Sequence, residues 1–290
     1  MNKSGDFFSR KTKGEIITFV TVFIIFAIYA ASILYILVFI ALNSLKTPEE
    51  YFNGSFGFPS SFLVSNFSKA FNELTYDEAG FIEMLFNSFW WAGGHVILHL
   101  TPIMLFAYVV TRFDFFGKKA LLFINYLVIV VTVYGSQSAD YVYYADLGIL
   151  DTRAMVICAL GGFGTSMLII MSFFKTLSWE YAEAAEIDGA NEFTVFLKVY
   201  IPMLLPMVFS LALIRFISTW NDYYGPLLYN ESYPTLASGL YLYRIYSVER
   251  KGNYPIYFAG LLIMLLPVLV LYSTFSNVIM KNMGIGGLKG

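Results

Sequence analysis

Two histidines of the chain, His95 and His99, stand four residues apart and would share one face of a helix. Zinc enzymes use this spacing to present two metal ligands. Here no glutamate follows His95 in the zinc-enzyme pattern, no third ligand is near, and the one cysteine, Cys158, cannot form an internal disulfide. We therefore expect the histidines to form hydrogen bonds between helices, Cys158 to be a small packing residue, and the chain to hold no metal.

A glycine-rich stretch at residues 161–165 superficially resembles a phosphate-binding loop. It lacks the Lys-Ser or Lys-Thr ending of such loops and lies in an apolar stretch, so we expect it inside a membrane helix, at a point of close packing or flexibility. No Walker sequence occurs elsewhere in the chain. The long apolar stretches contain no Asp or Glu that could act as paired catalytic carboxylates, so the sequence predicts no catalytic residue.

The elements that carry these residues belong to a membrane protein. Of 290 residues, 58% are hydrophobic and only 13% are charged, against about 25% charged in an ordinary soluble domain. The mean hydropathy is +0.66. A net charge of −2 leaves no basic excess to neutralise a phosphate backbone, which argues against nucleic-acid binding.

Six apolar stretches are candidates for membrane-spanning helices, because a bilayer core about 30 Å thick requires roughly 20 apolar residues. The predicted spans are 16–45, 84–111, 120–139, 154–174, 199–219 and 255–280. The first is about twice as long as the apolar region of a secretory signal, so we interpret it as a helix. Eleven Lys and Arg residues fall on one side and six on the other. The positive-inside rule then places both termini, residues 1–15 and 281–290, in the cytoplasm, and leaves the outer face acidic.

The connection between the fourth and fifth spans, residues 175–202, has a pattern of its own. Ser178 is a plausible N-cap, helix formers continue to Ile187, and Gly189 stands where a helix end favours a left-handed residue. Asn191 then caps a second helix that we expect to run to Pro202. Alanines thin one side of the first helix, beside an acidic stripe of Glu183 and Glu186. An amphipathic connector at the inner leaflet is one reading, but anionic lipid would repel the stripe, so docking into a protein cleft fits better.

This connection resembles the EAA loop of ABC importer permeases. Glu183-Ala184-Ala185, three residues, Gly189, nine residues, Val199, one residue and Ile201-Pro202 follow the pattern, with apolar exchanges at Val199 and Ile201. Asp188 and Ala190 complete its longer form, and we call residues 175–202 the EAA segment. The carbohydrate-uptake class is further indicated by a group of shorter matches: Asn87-Ser88, Ala107-Tyr108, Arg112, Trp220-Asn221-Asp222, Pro226-Leu227 and Gly286-Gly287-Leu288-Lys289-Gly290.

The resemblance implies an all-α protein with six transmembrane helices and the type I ABC importer permease fold. It implies a heterodimer with a second permease, two cytoplasmic ATPase subunits that hold ATP and Mg, and an extracellular solute-binding protein. The chain itself would hold no cofactor and hydrolyse no ATP. A sugar or oligosaccharide would cross by alternating access, with a non-sugar solute as the alternative. Coupling to the ATPases would fall to Glu183, Ala184, Ala185, Asp188, Gly189 and Ala190.

The chain departs from this class in two places. The chain has a polar stretch at residues 135–140, followed by a tyrosine cluster, where the class usually has Pro-Leu-Tyr. The fifth predicted span also carries Arg215. Arg215 lies deep in its span and either snorkels outward or faces a watery pathway. We predict that the substrate path includes Arg215, Trp220, Asn221 and Tyr223. An intramembrane enzyme or an ion channel is disfavoured, because the spans carry neither a catalytic set nor a ring of charges.

Overall fold

The computed structural model describes residues 12–283 apart from 77, 132–134, 162, 250 and 251. Of the predicted termini 1–15 and 281–290, residues 1–11 and 284–290 lie outside the described residues. The α-helices are α1 (Lys13–Ser44), α2 (Pro48–Asn53), α3 (Ser65–Glu73), α4 (Phe81–Arg112), α5 (Lys118–Val130), α6 (Gln137–Asp146), α7 (Thr165–Phe174), α8 (Glu180–Ile187), α9 (Glu192–Val195), α10 (Ile201–Trp220), α11 (Tyr224–Tyr229), α12 (Leu236–Tyr243) and α13 (Tyr254–Met283). A 3₁₀ helix covers Arg153–Ala159, and π-helical turns cover Phe196–Tyr200 and Arg244–Val248. The described residues form no β-strand, which confirms the all-α class.

Four of the predicted spans are long apolar helices. They lie at Lys13–Ser44, Phe81–Arg112, Glu192–Trp220 and Tyr254–Ser276 within the described residues. Each is long enough to cross a bilayer core of about 30 Å at 1.5 Å per residue. These helices confirm the first, second, fifth and sixth predicted spans as apolar helices.

The third and fourth predicted spans are not single helices. The third, 120–139, falls on α5 and the start of α6, and α5 has only 13 residues, about 20 Å. The fourth, 154–174, is divided between the 3₁₀ helix and α7. The expectation that the glycine-rich stretch lies inside a helix is therefore wrong: Leu160, Gly161 and Phe163 are non-helical. Gly164 begins α7 with a φ of +130°, and its N–H donates to buried Asn125 Oδ1 on α5 (2.6 Å).

The fifth span also differs from its prediction. The helix does not end at Pro202 but continues from α9 through the π turn at Phe196–Tyr200 into α10. Pro202 stands in the first turn of α10, where its missing N–H is tolerated, and a π turn absorbs the change in hydrogen bonding. The EAA segment is thereby joined to the membrane by one continuous helix.

Helix α4 is the centre of the bundle, since it packs against α3, α7, α10, α12 and the 3₁₀ helix. Near its start a first core gathers Phe81, Met84, Trp220, Leu240 and Ala259. Near its end a second core gathers Ile103, Met171, Phe174, Val195 and Tyr200. The second core lies directly under the EAA segment.

Helix α1 has a different surface. Its side chains between residues 17 and 38 are mostly exposed and apolar, and near its end Phe39 packs against Phe258 of α13, with ring centroids 6.1 Å apart. A helix that is apolar all round is stable only in lipid or against another apolar surface. This agrees with a membrane protein, whose exposed apolar surface must be covered by lipid or by another apolar surface.

Candidate functional site

The EAA segment folds locally much as its sequence predicts. The N-cap of α8 is Trp179 and not Ser178 as predicted, although the Ser178 hydroxyl accepts the Glu180 N–H (3.3 Å). Gly189 follows the helix with a φ of +88°. Asn191 Oδ1 then accepts the Thr194 N–H (2.8 Å) and caps the second helix. The result is a helix, a left-handed glycine bend and a helix that enters the membrane.

An ion-pair cluster fastens α8 to the membrane helices. Arg112, the last residue of α4, donates through Nη2 to Glu186 Oε1 on α8 (2.5 Å) and lies 3.5 Å from Glu192 Oε1 on α9. Tyr108, one turn earlier on α4, donates its hydroxyl proton to Glu192 Oε2 (2.6 Å). One cation and one phenol thus join α4 to both helices of the EAA segment, and we call these four residues the Arg112 clamp.

Aromatic rings surround the clamp and restrict access of water to it. The Arg112 guanidinium lies 5.2 Å from the centroid of the Trp179 ring, and Trp179 in turn contacts the ring of Tyr200 at 5.3 Å. Tyr108 packs against the rings of Phe174 and Phe196. The Arg112 side chain retains only 19% of its exposure, so its ion pairs are stronger than those of a fully solvated arginine.

The other face of α8 is exposed. Glu183, Ala184, Asp188 and Gly189 are exposed, Ala185 and Ala190 are half-buried, and Ala182 is fully buried against the second core. Ile187 is 86% exposed, and Tyr181 is exposed beside it. In the described part of the chain, Glu183 makes no hydrogen bond or ion pair through its side chain. An exposed acid and an exposed isoleucine on a helix that is anchored from behind form a surface suited to docking.

The predicted acidic stripe is therefore divided. Glu186 faces the membrane helices and pairs with Arg112, whereas Glu183 faces outward. Positions three apart on a helix differ by about 60° in direction, enough for one side chain to reach an inner partner and the other solvent. Sequence reasoning missed the clamp, although the resemblance had drawn attention to Tyr108 and Arg112. The available signal was a lone arginine closing an apolar helix, with acids in the next connection.

At the other end of α10, the predicted path residues separate by burial. Trp220 is 1% exposed, and its indole N–H donates to the Met264 carbonyl of α13 (3.1 Å). Asn221 is exposed and donates to the Ile217 carbonyl (2.8 Å), and exposed Tyr223 stacks on Tyr241 with centroids 4.4 Å apart. Trp220 is therefore part of the packed core at this end of α10, whereas Asn221 and Tyr223 lie on the surface.

Arg215 lies one turn after Leu211 on the same face of α10. Asp222 follows about two turns later, beyond the end of the helix. Leu211 packs against the second core, so this face of α10 is directed toward α4 and α7. Arg215 is half-buried, and its Nε is inaccessible and has no hydrogen-bond partner in the described chain. The Nε end of the Arg215 guanidinium is therefore enclosed by the protein.

The two histidines have separate surroundings. His95 Nδ1 donates to the Trp91 carbonyl (2.8 Å), which leaves Nε2 to face Cys158 Sγ at 3.7 Å. The predicted contact between helices is confirmed for His95, and Cys158 is half-buried with a hydrogen-bonding role beyond simple packing. The His99 ring lies against Gly161 at the break in the fourth predicted span. Within the described ranges, no three His, Cys, Asp or Glu side chains are grouped as metal ligands.

Comparisons with known proteins agree with this geometry. The family model for the binding-protein-dependent transport system inner membrane component matches residues 4–283. The chain is 24% identical to the probable ABC transporter permease protein YurM of Bacillus subtilis, over 93% of this chain and 88% of that protein. It is 25% identical to the diacetylchitobiose uptake system permease protein NgcG of Streptomyces coelicolor, over 83% and 79%.

A solved structure has the same fold. It is a bacterial ABC transporter involved in the import of the acidic polysaccharide alginate, and one of its chains aligns with a TM-score of 0.76. The alignment covers 92% of this chain and 98% of that chain at 20% identity. The likeness establishes the fold of the chain.

Proposed function

Because the chain belongs to the family of binding-protein-dependent transport system inner membrane components, we propose that it is the permease subunit of an ATP-driven importer for a sugar or oligosaccharide. The observation that carries the proposal is the EAA segment, an exposed helix and glycine bend clamped to two membrane helices. The names of a relative, for diacetylchitobiose uptake, and of the structural neighbour, for alginate import, support a saccharide as the cargo.

The clamp supplies a route by which motion enters the membrane. A partner ATPase that moves when it binds ATP would press on the face of Glu183, Asp188 and Ile187. The Arg112 pair would carry the displacement of α8 to α4, and the continuous helix from Asn191 would carry it to α10. Rigid elements that shift together between two arrangements are the basis of alternating access.

The partners follow from what this chain lacks. It has no phosphate-binding loop, so two ATPase subunits would hold ATP and Mg and hydrolyse ATP outside this chain. A second permease would form a heterodimer with it and cover apolar surface such as that of α1. An extracellular binding protein would deliver the sugar to the end of the bundle opposite the clamp.

The same reasoning proposes an orientation in the cell membrane. The end that carries Arg112 and the EAA segment would be cytoplasmic, together with both chain termini, since most Lys and Arg residues of the connections fall on that side. Asn221 and Tyr223 would then lie near the outer end, where a sugar is received. Hydroxyl-directed contacts there would be weak, as a path that must release its cargo requires.

The proposal is tested by reconstituting the whole complex in proteoliposomes and measuring ATP hydrolysis and uptake for a panel of solutes on the binding protein. We expect saccharides to stimulate both. Stimulation by amino acids or phosphate, with saccharides inactive, would establish the non-sugar alternative. The chain purified alone should neither bind nor hydrolyse ATP, and ATPase activity in a contaminant-free preparation would contradict the assignment.

A further inference from the structure

Arg215 is a half-buried cation that has no counter-charge among the described residues. A guanidinium stays protonated at any physiological pH, so it cannot lose its charge to suit an apolar site. Among the described residues, Arg215 makes no hydrogen bond or ion pair, and its Nε has no contact with solvent. Such groups are costly in a membrane and mark functional positions, because ordinary packing would not retain them.

The surroundings of Arg215 do not neutralise it. Both ring nitrogens of His95 already have partners, in the Trp91 carbonyl and Cys158. Asp222 is the acid nearest to Arg215 along the chain, but its Oδ1 accepts the N–H groups of Tyr224 and Gly225 (both 3.0 Å). No ion pair joins Asp222 to Arg215 in the described chain. Arg215 is therefore open to an anion that the described residues do not supply.

The helix of Arg215 packs against α4, which borders non-helical backbone at membrane depth. The His99 ring of α4 lies against Gly161 at this break. Leu160 is exposed, so the break is not enclosed by this chain. Irregular backbone is tolerated inside a membrane only where protein buries it or where it lines a watery cavity. The break and Arg215 are thus both carried by elements that pack against α4.

We propose that Arg215 lines the substrate path and binds the carboxylate of an acidic saccharide, one that contains uronic acid. The planar guanidinium matches a carboxylate with two parallel hydrogen bonds, whereas a neutral sugar would leave its charge unbalanced. This inference rests on the proposed function and adds the class of the sugar. A carboxylate donated by the second permease is the competing account of the same unpaired charge.

The test uses the reconstituted complex with its binding protein, given trisaccharides of galacturonic acid and mannuronic acid, with maltotriose as the neutral probe. We expect a uronic acid trisaccharide to be taken up, and Arg215→Gln to lower its maximal uptake by about tenfold, the effect of one charge-assisted hydrogen bond. Arg215→Lys should retain more uptake than Arg215→Gln, because it keeps the charge. Lys119→Gln, which removes an exposed charge far from α10, is the matched control and should equal the wild type.

Uptake of maltotriose alone would overturn the proposal and leave a sugar importer standing, as would unchanged uronate uptake in Arg215→Gln. If neither substitution at Arg215 allows the complex to assemble in size-exclusion chromatography, Arg215 pairs with the second permease and the proposal is also overturned. Failure of every saccharide with the wild-type complex would instead remove the proposed function itself.

Discussion

Arg112 and Arg215 are both arginines in apolar helices, yet their surroundings are opposite. Arg112 has two carboxylates and the face of Trp179 around its guanidinium. Arg215 has no counter-charge in the described chain. Arg112 holds the EAA segment within the fold. Arg215 remains available to bind a group from outside this chain.

The difference shows that residue type alone does not assign a role to a membrane charge. A charge that is paired within the fold has a structural role. Removing it leaves its partner charges unpaired, which destabilises the protein. A charge without partners costs stability and is explained by function. The two arginines should therefore respond in opposite directions to the same substitution.

Arg112→Met is expected to have the largest effect. It leaves the partly exposed Glu186 and Glu192 without their cation, which costs about 1 kcal/mol or less. Motion of α8 would no longer reach α4, so uptake should fall by about tenfold or more, the range of a coupling energy between sites. Uptake in proteoliposomes and the melting temperature of the detergent-purified complex measure both losses. Wild-type values for both would remove the clamp from the account.

Arg215→Met should shift the melting temperature the other way. Removing an unpaired charge from an apolar site relieves its desolvation, so the complex without substrate should become more stable by about 1 kcal/mol or more. A thermal shift assay on the same complex measures this. A large loss of stability would show that another subunit supplies a counter-ion.

Gly189→Ala tests the bend that joins α8 to the second helix. The φ of +88° places a β-carbon in the left-handed region, at a cost of about 1 kcal/mol. Gly117→Ala is the matched control, since Gly117 has a φ of +90° and open space around it but lies outside the EAA segment. Both variants should lose similar stability, and only Gly189→Ala should lower uptake. Equal uptake in the two variants would show that the EAA segment only connects two helices and has no role in coupling.

Asn221→Ala should have the smallest effect. Asn221 is exposed and offers one amide to a passing sugar, so maximal uptake should fall about twofold to threefold, the worth of one weak hydrogen bond. The apparent affinity should hold, because the binding protein sets it. Uptake as a function of sugar concentration separates these two quantities. A change in affinity alone would place Asn221 at the docking interface instead.

The parts of the fold that could be predicted from the sequence are those that depend on neighbouring residues. The Asn191 cap and the Gly189 bend depend on neighbouring residues, and both are as expected. Four long helices follow from uninterrupted apolar stretches. The interruption at Gly161 and Gly164 could not be predicted, because an absence of charge says nothing about where a helix breaks; Asn125, 39 residues earlier, holds that break.

The candidate site was predicted less completely, for a related reason. Arg112 and Glu186 lie 74 residues apart in the chain, so no local pattern joins them. Trp220 was predicted on the substrate path from its neighbours Asn221 and Asp222, but its burial depends on Met264 of α13. Contacts between distant segments are determined by packing, which a single sequence does not reveal.

The most direct test of the central claim is the number of sugar molecules imported per ATP hydrolysed, compared between wild-type and Glu183→Lys complexes. Lys119→Glu, at an exposed residue outside the EAA segment, is the charge-reversal control. Glu183 is exposed and faces away from the clamp, so its reversal should leave assembly intact. If the EAA segment carries the motion of the ATPases, the ratio should fall by about tenfold or more in Glu183→Lys alone. An unchanged ratio with normal uptake in Glu183→Lys would contradict the account.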